Sequence, residues 1–114
     1  MTRVPSSSAL RAAVQAQKSD VAALFDALRA GSPDPRGPGV SRDTFGAGEQ
    51  LGYRLVAAHA DAMGLRRTSD HAANMYMTLP GRDRHKPCVM TGSHLDSVPN
   101  GGWLNEKASG HILS

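Results

Sequence analysis

The stretch from Gly31 to Gly39 constrains the fold most, because three prolines and three glycines fall within these nine residues. Proline lacks the backbone N–H that regular elements need, and glycine loses more conformational entropy than other residues when it is held in one. We therefore predict a loop over residues 31–44, with separate elements on either side. The whole chain has 114 residues, which gives room for one small domain.

An amphipathic pattern precedes this loop. Apolar residues recur there at three- and four-residue steps, interrupted only at Gln17, at Leu10, Ala13, Val14, Val21, Leu24, Phe25 and Leu28. Such spacing predicts one helix with its apolar residues on a single stripe. Ser6 to Ser8 offer oxygens that accept from its first N–H groups, and Gly31 supplies a stop. This helix forms a first segment over residues 1–30.

After the loop, a second helical pattern runs from Gly46 to Met63, with Thr44 as a candidate cap and Gly64 as a stop. Short extended pieces follow over residues 65–69 and 74–79, then a turn over residues 80–83. Residues 88–91 are apolar with little alternation, which is typical of a strand covered on both faces. Cys88 is expected to be a small buried hydrophobic residue there. The predicted fold class is α/β, with two helices followed by short strands.

Composition excludes several function classes. The formal charge is +3, yet the basic residues are scattered apart from Arg66-Arg67 and residues 82–86, so we predict no nucleic-acid partner. No apolar run approaches the ~20 positions of a membrane span, and we expect no membrane partner. The single cysteine excludes an internal disulfide. Residues 1–10 lack the apolar segment of a secretory signal, and we predict a cytoplasmic location.

The segment over residues 91–102 contains the residues best suited to chemistry. If its backbone is extended, His94 and Asp96 point to the same side, because side chains alternate with period two. A neutral imidazole binds zinc-like metals, and a nearby carboxylate commonly fixes its tautomer. A surface histidine beside an unrelated aspartate is the alternative. Ser93 and Ser97 lie outside any nucleophile-elbow pattern, which argues against a serine hydrolase triad.

The same segment, Gly92-Ser93-His94-Leu95-Asp96-Ser97-Val98-Pro99-Asn100-Gly101-Gly102, resembles the hydantoinase/carbamoylase family of amidases. Residues 40–43, 48–49 and 70–82 add to the resemblance. The family includes N-carbamoyl-amino-acid hydrolases and allantoate amidohydrolases, within the clan of dinuclear-metal aminoacylases. The resemblance implies a three-layer α/β/α metallo-aminopeptidase-like catalytic domain, and residues 45–102 would form part of its N-terminal portion.

The resemblance also implies an activity, a cofactor and partners. The activity is hydrolysis of a carbon–nitrogen bond in an N-carbamoyl or ureido substrate by a water that a divalent metal pair activates. Zinc, manganese, cobalt and nickel all accept imidazole and carboxylate ligands, so the metal stays open. A homodimer is implied only for the full-length protein.

Site residues follow from the resemblance position by position. His94 is implied to bind one metal ion, and Asp96 joins the catalytic machinery as the carboxylate that orients this imidazole. Asn105 stands where the family has an aspartate that bridges both metals. An amide offers one neutral carbonyl oxygen in place of a charged carboxylate, so we expect Asn105 not to bridge and this chain not to hold metal stably.

Residues 103–114 form a divergent tail in this interpretation, and His111 within it is expected to be a surface residue. We expect the chain to be a truncated or frameshifted product of a carbamoylase-type protein. Two alternatives from other classes are a non-catalytic fragment and a small interaction module built on the apolar stripe over residues 10–28.

Overall fold

A computed structural model describes residues 4–102, and within this range three helices precede two short strands. The elements are α1 (Ser7–Ala16), α2 (Lys18–Ala30), α3 (Ala47–Ala62), β1 (Arg66–Ser69) and β2 (Met75–Thr78). This order of helices and then strands confirms the predicted α/β combination. The three-layer catalytic domain stays a prediction.

The prediction of one helix before the loop is wrong, because the helix is interrupted at Gln17, between α1 and α2. The Gln17 N–H donates to the carbonyl oxygen of Val14, three residues back, at 3.1 Å, which tightens the last turn of α1. Ser6 caps α1 as expected, and its side chain accepts from the Ala9 N–H at 3.2 Å. Helix α1 contains no buried residue, so its apolar side chains are exposed. In α2 only Leu28 is buried.

Helix α3 begins and ends close to the predicted residues. Gly64 has a φ of 73°, in the left-handed region that glycine tolerates, and the helix ends just before it as expected. The prediction that Thr44 caps α3 is wrong. Gly46 is the N-cap residue and no side chain caps the helix there. The Glu49 carboxylate instead accepts from the Phe45 N–H at 2.6 Å, which satisfies a donor just before the first turn.

Strands β1 and β2 form an antiparallel hairpin, with Arg66 opposite Thr78 and Ser69 opposite Met75. This pairing confirms the two extended pieces expected after α3. Asp70 organises the connection, since its carboxylate accepts from the backbone N–H of Asn74 at 3.0 Å.

The predicted strand over residues 88–91 is absent from the described part of the chain. Val89 is fully exposed, and Cys88 is exposed rather than buried. A strand needs a partner for its N–H and C=O groups. Among residues 4–102 no backbone hydrogen bond reaches this segment. An apolar run alone therefore did not make a strand here.

The core within residues 4–102 is small. Its buried apolar residues are Leu28, Val40 and Ala60, and its buried polar residues are Ser32, Asp34 and Glu49. The buried polar side chains all lie in or next to the loop after α2, so buried side-chain hydrogen bonds concentrate at this loop. None of the three helices between residues 4 and 102 is long and apolar enough to cross a membrane.

Candidate functional site

Two irregular segments pack side by side to form the candidate site, residues 32–45 from the loop after α2 and residues 94–101. They run antiparallel. Val40 and Gly101 exchange both backbone hydrogen bonds, at 3.1 and 2.8 Å, and further along the Ser97 N–H donates to the Arg42 carbonyl at 2.8 Å. The chain segment that resembles the carbamoylases is therefore held by the proline- and glycine-rich loop rather than by a sheet.

Asp34 ties the two segments together at one end. Its carboxylate is fully buried and accepts from the backbone N–H groups of Arg36 at 2.7 Å and Asn100 at 3.0 Å. The Ser41 hydroxyl also donates to it. The Ser41 hydrogen bond, followed by that of the Arg36 N–H, holds the pKa of Asp34 below its ordinary value.

Asn100 completes this end of the site. Its backbone has a φ of 50°, in the left-handed region that asparagine tolerates better than most residues. Its side-chain Oδ1 accepts from the Gly39 N–H at 2.9 Å. A Cβ on Gly39 would lie 2.4 Å from the carbonyl oxygen of Gly101, so only glycine fits where the two segments touch.

Arg42 holds the middle of the second segment. Its Nε donates to the carbonyl oxygen of Leu95 at 2.6 Å, and its Nη1 donates to the Ser32 hydroxyl at 3.1 Å. Its backbone N–H donates to the Ser97 hydroxyl at 2.9 Å. Leu95 and Ser97 flank Asp96, so Arg42 fixes the backbone on both sides of that carboxylate. Ser97 is occupied by these contacts, which fits the argument against a triad.

His94 and Asp96 lie in contact. The His94 Nδ1 is 2.9 Å from Asp96 Oδ1 and 3.0 Å from the Asp96 carbonyl oxygen. Both neighbours are acceptors, so the neutral ring carries its proton on Nδ1. The ring is 81% exposed, and Nε2 has no hydrogen-bond partner among residues 4–102. An imidazole with its Nδ1–H on a carboxylate and its Nε2 open has the arrangement of a metal-binding histidine.

Thr44 contacts the other oxygen of the same carboxylate, and its hydroxyl donates to Asp96 Oδ2 at 2.7 Å. The Thr44 hydrogen bond, and after it that of His94, lowers the pKa of Asp96. The carboxylate is therefore ionised near neutral pH, which is the form that accepts from Nδ1–H.

Among the described residues, one side chain is placed to act as a metal ligand. The described range contains no group of three His, Cys, Asp or Glu residues that could hold an ion, whereas a zinc site usually has three or four protein ligands. His94 fits as one ligand through Nε2. Asn105 and His111 lie outside the described residues, and their roles stay predictions.

Three further histidines lie within residues 4–102. His71 and His85 are exposed, and His59 is half-buried on α3. Sequence reasoning missed Asp34, Ser41, Arg42 and the Thr44 contact. A signal was present for Asp34, since aspartate between two prolines favours a turn in which its carboxylate accepts from the backbone two residues on.

Comparison with known proteins shows what this chain is similar to. The N-carbamoyl-L-amino-acid amidohydrolase of Rhizobium meliloti is 37% identical over 70 residues, which cover 58% of this chain and 17% of that protein. The corresponding enzyme of Geobacillus stearothermophilus is 41% identical over 64 residues, covering 56% of this chain and 16% of the enzyme. That of Paenarthrobacter aurescens is 33% identical over 72 residues, covering 63% and 18%. The resemblance to the carbamoylase family is confirmed.

The carbamoylase resemblance is partial in length. The chain spans about one sixth of the length of these curated carbamoylases. No protein-family model and no solved structure matches it.

Proposed function

We propose that this chain is a carbamoylase-type segment in which His94 binds one divalent metal ion through Nε2 and Asp96 holds the ring in that orientation. The parent activity is hydrolysis of N-carbamoyl-L-amino acids, as in the named relatives. The observation that carries the proposal is the 2.9 Å contact between His94 Nδ1 and Asp96 Oδ1, which leaves Nε2 open to solvent.

A divalent metal pair, when bound, would lower the pKa of a water molecule and stabilise the oxyanion that forms during hydrolysis. The residues of this chain do the supporting work. Asp96 keeps the Nδ1 proton of His94, so the Nε2 lone pair stays available. Arg42 and Asp34 hold the backbone that carries the pair. The described residues bring one metal ligand, so we expect the isolated chain to hydrolyse no N-carbamoyl-L-amino acid.

A chimera tests the proposal. Residues 1–102 replace the matching part of the Geobacillus stearothermophilus enzyme, and His94→Ala is compared with His71→Ala, a histidine on an exposed turn. Loss of a direct ligand should lower turnover by more than the ~10 to 100-fold that loss of an outer hydrogen-bond partner costs, and should lower metal content as well. His71→Ala should leave both unchanged. Equal metal content and turnover in the two variants would contradict the ligand role of His94.

A second arm of the chimera tests the divergent position. One version has aspartate followed by glycine at positions 105 and 106, and the other retains Asn105-Glu106. The amide lacks the charge that offsets the repulsion between two cations, so the Asn version should bind the second metal more weakly. Comparable metal stoichiometry in both versions would show that position 105 is not the bridging position.

A further inference from the structure

We propose that Thr44 is the positioning residue of the His94–Asp96 pair. Its hydroxyl fixes the Asp96 carboxylate so that Oδ1 faces His94 Nδ1 and the ring presents Nε2 to solvent. The value of this orientation for a metal rests on the function proposed above. The orientation itself does not, because it follows from contacts among residues of this chain alone.

The two oxygens of Asp96 have different partners. Oδ2 accepts from the Thr44 hydroxyl at 2.7 Å, and Oδ1 lies 2.9 Å from His94 Nδ1. The terminal torsion of an aspartate is broad, so a carboxylate with one partner turns over a wide range. With both oxygens engaged, a turn of the carboxylate weakens both hydrogen bonds. Thr44 therefore limits the one torsion that sets where the acceptor for Nδ1 lies.

Little else restrains the imidazole. The ring is 81% exposed, and among residues 4–102 its only hydrogen-bond partners are Oδ1 and the main-chain carbonyl oxygen of Asp96. An exposed ring has no packing to choose its orientation. The geometry of Asp96 therefore sets the ring, and the contact with Thr44 sets Asp96.

The backbone is built to bring Thr44 to this place. The Ser97 N–H donates to the Arg42 carbonyl oxygen and the Arg42 N–H donates to the Ser97 hydroxyl, which sets the register of the two segments two residues before Thr44. The Gly46 N–H then donates to the Asp43 carbonyl at 2.8 Å and closes a tight turn around Thr44.

Phe45 shows that this turn is imposed on the chain. Its φ of 59° lies in the left-handed region, which is unfavourable for a non-glycine residue. The buried carboxylate of Glu49 accepts from the Phe45 N–H at 2.6 Å and so holds this conformation. Thr44 thus directly precedes a residue whose strained conformation is held by a buried acceptor.

The test reads the tautomer of His94 in the metal-free 114-residue chain by ¹⁵N NMR of its ring nitrogens. The ratio is read at a pH at which the ring ¹⁵N shifts no longer change on addition of base. Thr44→Val keeps the shape and removes the hydroxyl, whereas Thr44→Ser keeps the hydroxyl. Thr68→Val, on the exposed strand β1, is the matched control. Asp96→Ala removes the carboxylate acceptor and leaves only the main-chain carbonyl oxygen of residue 96 beside Nδ1.

We expect Thr44→Val to lower the ratio of the Nδ1–H to the Nε2–H form about three- to tenfold, the range that one hydrogen bond accounts for. Asp96→Ala should lower it at least as far. Thr44→Ser and Thr68→Val should leave it as in the unmodified chain. Amide signals of α3 identify any variant that fails to fold. If Thr44→Val is such a variant, a tautomer ratio that is kept in Thr44→Ser and lowered in Asp96→Ala supports the inference, and equal ratios in these two variants contradict it.

Three results would overturn the inference. They are an unchanged ratio in Thr44→Val, an equal loss in Thr44→Ser and Thr44→Val, and an unchanged ratio in Asp96→Ala. The ratio is read without metal, so it is independent of whether His94 is a ligand. A chimera that keeps its metal after His94→Ala would refute the proposed function and leave the role of Thr44 standing.

Discussion

Asp34 is the residue on which the candidate site most depends, although it takes no part in the proposed chemistry. Its buried carboxylate accepts from a backbone N–H on each of the two packed segments, at Arg36 and Asn100. A charged acceptor in this place satisfies donors that would otherwise be buried without partners, and such donors are expensive to leave unmet. The loop after α2 therefore depends on one buried anion as well as on the buried side chain of Val40.

This anion makes stability depend on pH. The pKa of Asp34 is lowered in the folded chain, chiefly by the Ser41 hydroxyl. Its contribution is therefore present above the unfolded-state value of about 3.9 and is lost as the pH falls through the lower folded-state pKa. We expect Asp34→Asn to have a lower urea midpoint than the unmodified chain at neutral pH, and the gap to narrow below about pH 4.

Asp26→Asn, at an exposed position of α2, is the control and should leave the midpoint unchanged at both pH values. Other aspartates with lowered pKa, at Asp61, Asp70 and Asp96, contribute to acid unfolding in both variants, so the difference between them isolates Asp34. A constant gap from neutral to acid pH would show that Asp34 is not the titrating group.

At the scale of elements, the contact between α2 and α3 depends on Leu28. This side chain is 8% exposed, and its Cδ2 lies 3.5 Å from where a Cβ on Gly52 would be. The absence of a side chain at Gly52 thus lets Leu28 approach the backbone of α3. Leu95 lies at the same distance from that point, which links this contact to the segment of the candidate site.

We predict that Leu28→Ala lowers the free energy of unfolding by about 2 kcal/mol, the lower end of the range for a buried leucine, because the surrounding core is small. Leu79→Ala, at a leucine that is 80% exposed, should change it by less than about 0.5 kcal/mol. Urea denaturation followed by circular dichroism measures both. Equal effects of the two substitutions would mean that α2 does not pack on α3 in solution.

The elements that sequence predicted are those with local signals. Helix α3 ends at a glycine, and the hairpin is built from two pieces separated by a short polar connection. The prediction of a third strand was wrong because an apolar run does not indicate which strand will pair with it. The interruption at Gln17 was not predicted because a single polar residue within an apolar stripe is common in continuous helices.

The candidate site divides in the same way. The pair His94 and Asp96 was visible because period-two spacing brings neighbours together. The residues that hold the pair were not. Thr44 lies 52 positions before Asp96, and Asp34 lies 66 positions before Asn100. Contacts at such separations depend on how the two segments pack, which no local pattern reveals.

The whole described molecule is more extended than a compact domain. Its radius of gyration is 16.5 Å, against about 13 Å for a compact chain of this length. Apolar side chains lie exposed along the second half of the chain, at Leu79, Val89, Met90 and Val98. The two-stranded sheet also leaves strand edges open to another chain.

We therefore expect the isolated chain to self-associate at tens of micromolar, a rough working range in which exposed apolar patches drive association. Val89→Lys should shift the sedimentation profile toward the monomer, because it places a charge in the exposed apolar segment. Val4→Lys is the control, at a valine that is 86% exposed near the other end. An unmodified chain that sediments as a monomer over this concentration range would contradict this expectation.

The dipeptide Asn100-Gly101 is prone to deamidation, and folding protects it. An asparagine followed by glycine cyclises readily when the glycine nitrogen attacks the side-chain carbonyl and ammonia leaves, and water then opens the ring to aspartate or isoaspartate. In the folded chain the Gly101 nitrogen donates to Val40 at 2.8 Å, and the Asn100 Oδ1 is held by Gly39 at 2.9 Å. Both reacting groups are therefore tied to other partners. Each unfolding releases them together, so the deamidated fraction at this position accumulates as an irreversible record of the time a molecule has spent unfolded.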